Sequence, residues 1–301
     1  MINRISSKYF SVILLASCFL GLLVPEVGKQ TAVLILFFLF VVIFCSFFQL
    51  DFQREAFIHN SRKATFYTVL RFMVIPFACY YLLAPFSSFY AFTLFFLALM
   101  PSAVSSPAFT NMFGANMNLS LIILVISSFL VILTIPFLTP HYLHMESGIR
   151  VFDLFKTLML TVFVPFILHL PLRKSQKIDR WMRINLPVIT LISLSLIFIF
   201  AIARNKAAIL GNLPQLVEFL LVSAGFYASL YVAGWFLFFR QSRENKITYS
   251  VSSGMNNIGL AVSLAALYLP AQICVFLIVS EFAWVGILVP VKYVFRNKCV
   301  N

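Results

Sequence analysis

Blocks of about 18–25 apolar residues recur along the chain with almost no charge inside them, and this recurrence constrains the fold more than any other feature. Each block is long enough to cross about 30 Å of hydrocarbon as a helix. The expected spans are 10–28, 31–50, 64–84, 89–111, 119–139, 151–171, 186–203, 215–239, 248–269 and 272–294. Of the 301 residues, 62% are hydrophobic and 10% charged, and the mean hydropathy is +1.00, values that no soluble domain of this size would show. The expected fold class is an all-α polytopic membrane protein with ten transmembrane helices.

The formal charge of +13 raises the question of a nucleic-acid partner, and the placement of the charges answers it. Lysine and arginine lie in short connections and not on one basic face. With the N-terminus inside, sixteen fall on inner segments, whereas the outer loops carry four: Lys29, Arg150, Arg204 and Lys206. That bias supports the span count and places both termini in the cytoplasm, with the chain in a bacterial inner (plasma) membrane. Arg71 and Lys156 fall within spans. Lys156, near a span end, is expected to snorkel or to pair with Asp153. The cysteines, Cys18, Cys45, Cys79, Cys274 and Cys299, show no metal or redox spacing and read mostly as small packing residues. Leu15-Ala16-Ser17-Cys18 resembles a lipoprotein cleavage site, but the apolar run continues to Val24, so the segment is expected to stay as the first helix.

Span nine breaks the apolar pattern. Its first half holds Ser250, Ser252, Ser253, Gly254, Asn256 and Asn257. Lipid offers no hydrogen bonds, so such a run must face protein or a water-filled cavity. Gly254 permits backbone conformations that a regular helix does not use, and a helix broken there offers free carbonyls and amides to a ligand. An echo lies in span four, where Val104-Ser105-Ser106-Pro107 matches Val251-Ser252-Ser253-Gly254. Each copy falls in the fourth helix of a five-helix half, and an odd number of helices inverts the second half. The expected organisation is two inverted five-helix repeats, residues 1–145 and 146–301, whose paired interruptions mark the substrate site.

Gly254-Met255-Asn256-Asn257-Ile258-Gly259-Leu260-Ala261 is similar to the E-x-G-M-Q-N-S-G-L-A motif of the bile acid:sodium symporter family. Arg71-Phe72 through Ile75-Pro76 resembles that family's Q-F-x-x-M-P. Pro101–Ser106, Asn116–Ser120 and Pro136–Pro140 fit its fourth and fifth helices. The resemblance implies a core bundle (spans 3–5 and 8–10) and a panel bundle (spans 1, 2, 6 and 7), with broken helices 4 and 9 crossed in the core. It also implies transport of organic anions with sodium as the core rocks against the panel.

The family's sodium ligands are only partly kept. Ser106, Ser120 and Asn256 remain oxygen donors, but the motif glutamate is Ser252, an asparagine is Pro107, a threonine is Leu124 and the third-helix glutamine is Arg71. A carboxylate is gone and a cation has arrived, which argues against sodium coupling and leaves proton coupling or none. A guanidinium at Arg71 could take the ion's electrostatic role or bind a substrate carboxylate by paired hydrogen bonds. It could equally be a structural ion pair, with Glu281 or Glu218 as partner.

Arg71, Ser105, Ser106, Ser120, Ser252, Ser253, Gly254, Asn256, Asn257 and Glu281 are therefore the candidate substrate- or ion-binding residues, Glu281 as counter-ion or proton carrier. Ser127, Ser128, Thr134 and Ser263 read as packing residues, and His169 as interfacial. The function expected is a secondary transporter for a small or amphipathic organic anion. The alternatives are an auxin-carrier-like proton-coupled or passive permease, and a transporter-like sensor that binds without moving its ligand. His59, His141, His144 and His169 are scattered, which argues against a membrane enzyme. No cofactor is implied, and the partners expected are a small organic anion and membrane lipid.

Overall fold

The computed structural model describes residues 10–28, 31–48, 54–143, 150–211 and 213–296. Both termini lie outside the described residues, with Arg4, Lys8, Lys298 and Cys299, and so do Lys29, His144 and the expected repeat boundary at 145 and 146.

The described chain is helical. In order come α1 (Phe10–Leu23), α2 (Thr31–Phe48), α3 (Arg54–Leu83), α4 (Ser88–Ala98), α5 (Ser106–Met112), α6 (Met117–Leu143) and α7 (Val151–Leu158). A π-helical turn, Met159–Phe163, leads into α8 (Val164–Arg173). Then follow α9 (Gln176–Arg204), α10 (Lys206–Gly211), α11 (Leu213–Phe236), α12 (Arg243–Gly254), α13 (Ile258–Tyr268) and α14 (Ala271–Arg296). Seven segments are long and apolar enough to cross a membrane: Thr31–Phe48, Asn60–Leu83, Met117–Tyr142, Val151–Arg173, Gln176–Arg204, Leu213–Phe236 and Ala271–Phe295. Three apolar helices are shorter, Val12–Leu23, Ser88–Ala98 and Ile258–Tyr268.

Local chemistry sets the irregularities. Pro165 has no N–H to give the carbonyl one turn back, and the chain widens just before it, with Val164 donating to the carbonyl of Met159. Pro76, Pro136, Pro187 and Pro290 lie inside long helices, as membrane helices tolerate. Large apolar side chains such as Leu23, Leu82 and Phe86 are exposed, as a lipid-facing exterior requires.

Two compact units divide the chain. The first comprises Met1–Asp51, Pro136–Leu213 and Gly259–Ile278. Within it α9 packs along α1 and α2, and Cys45, Phe48, Met182 and Leu186 form a buried cluster flanked by Val41, Phe44 and Ile189. His169 is buried in this unit, near the end of α8. Its ring stacks on Phe47 at 5.5 Å and meets Phe48 edge-on, and its Nδ1 lies 2.6 Å from the carbonyl of Phe166. An imidazole can pack as an aromatic once one nitrogen is bonded to backbone.

The second unit comprises Phe52–Ile135, Pro214–Ile258 and Val279–Asn301. Here α4 lies along α3, and α12 packs on α5. Ala64, Tyr67, Leu119, Ile122, Ile123 and Tyr249 form the buried cluster, with the Tyr67 and Tyr249 rings stacked at 4.6 Å. The approach of α11 to α12 depends on Gly234: a Cβ there would stand 2.6 Å from the Tyr249 carbonyl oxygen and 2.7 Å from the Ser250 Cα. Backbone cannot yield as a side chain can, so Gly234→Ala should cost about 1–3 kcal/mol and lower the thermal midpoint in detergent. Gly225→Ala, on the same helix with nothing within 4 Å, should leave that midpoint unchanged or raised. Equal midpoints for the two variants would contradict this packing.

Candidate functional site at a backbone crossover

Two helices stop early. The chain leaves the helical path between Ala98 and Ser106, and again between Gly254 and Ile258. The two interruptions pair with each other: Ser102 and Asn256 form an isolated antiparallel bridge, Ala103 N–H donates to the Met255 carbonyl at 2.6 Å, and Asn257 N–H donates to the Pro101 carbonyl at 2.9 Å. Each break thus satisfies backbone groups that the other leaves open, a necessity where water is excluded.

The sequence shows why the breaks fall there. Pro101 biases Met100 away from helical geometry and cannot continue the hydrogen-bond ladder. Pro107 sits in the first turn of α5, where its missing N–H costs nothing, so it starts a half-helix instead of disturbing one. The serine pair Ser105-Ser106 consequently follows its break, whereas Ser252-Ser253 precedes the other. Gly254 also differs from expectation. Gly114 is the only glycine with positive φ among the described residues, so Gly254 is not needed for an unusual backbone conformation. A Cβ at Gly254 would lie 2.5 Å from the Tyr231 ring, and close packing is what requires the glycine.

Arg71, on α3, is 1% exposed and reaches the crossover. Its Nη2 donates to Asn256 Oδ1 at 2.6 Å and to the Met100 carbonyl at 3.3 Å. Asn256 Nδ2 in turn donates to the Leu97 carbonyl at 2.8 Å. Leu97 lies in the last turn of α4 and Met100 two residues past its end, where backbone carbonyls carry partial negative charge. The guanidinium and the amide therefore cap that half-helix together. Nε and Nη1 of Arg71 are buried with no hydrogen-bond partner among the described residues.

One turn before Arg71, Tyr67 donates to the Tyr249 carbonyl at 2.9 Å and meets the Ser253 hydroxyl. A line of buried hydroxyls runs through the same region: Ser102 to Ser106 at 2.9 Å, Ser106 to Ser120 at 3.3 Å, and Ser120 to Ser252 at 3.4 Å. Ser127, read from sequence as a packing residue, accepts the Ser102 N–H at 3.2 Å and so helps to hold the break. Ser128 and Ser263 bond back to their own helices, at the carbonyls of Leu124 and Gly259.

Of the candidate residues, Arg71, Ser106, Ser120, Ser252, Ser253, Gly254 and Asn256 are buried at or beside the crossover. Ser105 is half-buried at the start of α5, with its hydroxyl making no cap. Asn257 is half-buried and contributes its backbone N–H. Glu281 is half-buried on α14, and the hydrogen-bond partners of Arg71 among the described residues are Asn256 and the Met100 carbonyl, not Glu281; Glu218 is occupied by the Tyr90 hydroxyl at 2.5 Å. The arginine is thus held by an amide and a carbonyl, not by a carboxylate. Sequence reading missed Tyr67, Met100 and Ser102. The spacing of Tyr67 and Arg71 by four residues, one helical face, is the signal that could have found the first.

A family model described as the SBF-like CPA transporter family matches residues 8–280. No curated protein matches the chain.

Because Arg71 and Asn256 bond directly, their substitutions should be coupled. In a double-mutant cycle of Arg71→Gln and Asn256→Ala, read from unfolding in mixed micelles, the expected coupling is about 0.5–3 kcal/mol. Additive effects would contradict the contact.

Proposed function

The chain belongs to the SBF-like CPA transporter family, and on that premise we propose that it is a secondary transporter of a small or amphipathic organic anion, with no sodium ion required. In this reading its apolar segments make ten membrane helices in two inverted repeats. The interrupted helices of the core carry the site, and transport follows from rocking the core against the panel. The seven long and three shorter apolar helices support it, as do the paired interruptions.

The observation that carries the proposal is the position of Arg71. A dehydrated sodium ion needs several oxygen ligands and gains from a carboxylate. Here Asn256 Oδ1 already accepts from a guanidinium at 2.6 Å, and the nearby oxygens are serine hydroxyls and backbone carbonyls. A second cation beside this one would be repelled, so the residues do not fit a sodium ion. The fixed charge instead holds the C-terminal end of α4 against the opposite break. The N-terminus of α5, which opens directly after the first break, supplies partial positive charge, which favours an anionic substrate.

Purified protein in proteoliposomes, assayed with a panel of radiolabelled carboxylates and sulfonates, tests the reading. Replacing sodium by choline should leave the initial rate of uptake within about twofold. Arg71→Ala should reduce it on the order of tenfold or more, the scale set by losing hydrogen bonds to a charged group. Accumulation driven by a sodium gradient would contradict it.

A further inference from the structure

The first compact unit carries a concentration of positive charge that the crossover does not use. Arg173, Lys174, Lys177, Arg180 and Arg183 lie within one short stretch that ends α8 and opens α9. The acidic residue among them, Asp179, is engaged by Arg183 Nε at 2.7 Å. Lys174, Lys177 and Arg180 are exposed.

Helix geometry decides what these cations face. With 29 residues, α9 is about 43 Å long, so it overshoots about 30 Å of hydrocarbon by roughly two turns or more. The charged end, Gln176–Arg183, is the part excluded from hydrocarbon, which places it at headgroup level. Met182 and Leu186 are buried against Cys45 and Phe48, which fixes the inward side of the helix. Lys177, Arg180, Trp181 and Ile184 fall on the opposite side at helical spacing, with Trp181 57% and Ile184 52% exposed. An outward face that alternates cations with an indole and an aliphatic side chain matches the boundary between acyl chains and phosphates. Sidedness alone asks only for basic residues in the connection; it does not ask for them beside an exposed tryptophan on the lipid-facing side.

We propose that Lys177, Arg180 and Trp181, with Lys174, form a binding site for the headgroup of an anionic phospholipid. The two basic side chains on the helix engage the lipid phosphate, and the Trp181 ring lies along the glycerol and upper acyl region. This site is independent of the transport reading.

Brominated lipids in nanodiscs test it through tryptophan fluorescence. Brominated phosphatidylglycerol, as a minor component in phosphatidylcholine, should quench the wild type more strongly than the same fraction of brominated phosphatidylcholine. That excess should vanish in Lys177→Gln/Arg180→Gln and in Trp181→Phe. A folded double variant is confirmed by an unchanged elution profile and thermal midpoint in detergent. If it fails that check, the single variants Lys177→Gln and Arg180→Gln should each reduce the excess. Inorganic phosphate at millimolar concentration should not displace the lipid. Equal quenching by the two lipids, an excess that survives in the charge variants, or displacement by free phosphate would overturn the proposal.

Discussion

The bond from Arg71 to Asn256 joins three parts of the chain at one point: α3, the end of α4 and the break after α12. A buried guanidinium without partners is costly, and an interrupted helix within a membrane leaves carbonyls open. Each of these defects is relieved in part by the other, since Nη2 of the guanidinium donates to the Met100 carbonyl and to Asn256. The charge lies where the α4 carbonyls are negative, and the amide of Asn256 relays the contact to Leu97. The antiparallel bridge between Ser102 and Asn256 forms beside this contact and pairs the two breaks directly.

Around that contact the polar groups are hydroxyls. Ser102, Ser106, Ser120 and Ser252 bond to one another, and Tyr67 ties Ser253 and the Tyr249 carbonyl to α3. A hydroxyl both donates and accepts, so such a line can remain satisfied while its members change partners. Carboxylates or a bound cation would fix the arrangement more rigidly. A site that must open to alternate sides gains from groups that exchange bonds at low cost, and the proposed transport by a moving core uses this property.

Much of the architecture was legible in the residues. The apolar blocks predicted where the helices lie because a membrane imposes length and composition together. The polar run from Ser250 to Asn257 marked the second interruption, since those side chains have no partner in lipid. The same serine motif marks the first interruption, but that break precedes Ser105-Ser106, whereas the second follows Ser252-Ser253. Pro107 opens a half-helix, and the break depends on Pro101, whose effect on Met100 is local in sequence. Gly254 was assigned a conformational role, and its cause is the Tyr231 ring, a contact distant in sequence that no local pattern encodes. The partner of Arg71 was sought among carboxylates because charge pairing is the common solution. The structure uses helix-end carbonyls and an amide, which become available only once the two breaks meet. The position of His169 near a span end is legible in sequence, whereas its enclosure by Phe47, Phe48 and Phe166 is not, because Phe47 and Phe48 belong to a distant helix.

The central claim is that a fixed guanidinium stands where a transported cation would otherwise neutralise the crossover. Thermal unfolding of the purified protein in sodium chloride and in choline chloride of equal ionic strength tests this most directly. The account predicts coincident midpoints across the whole salt range, because no sodium ion is bound. A saturable midpoint increase specific to sodium would contradict it.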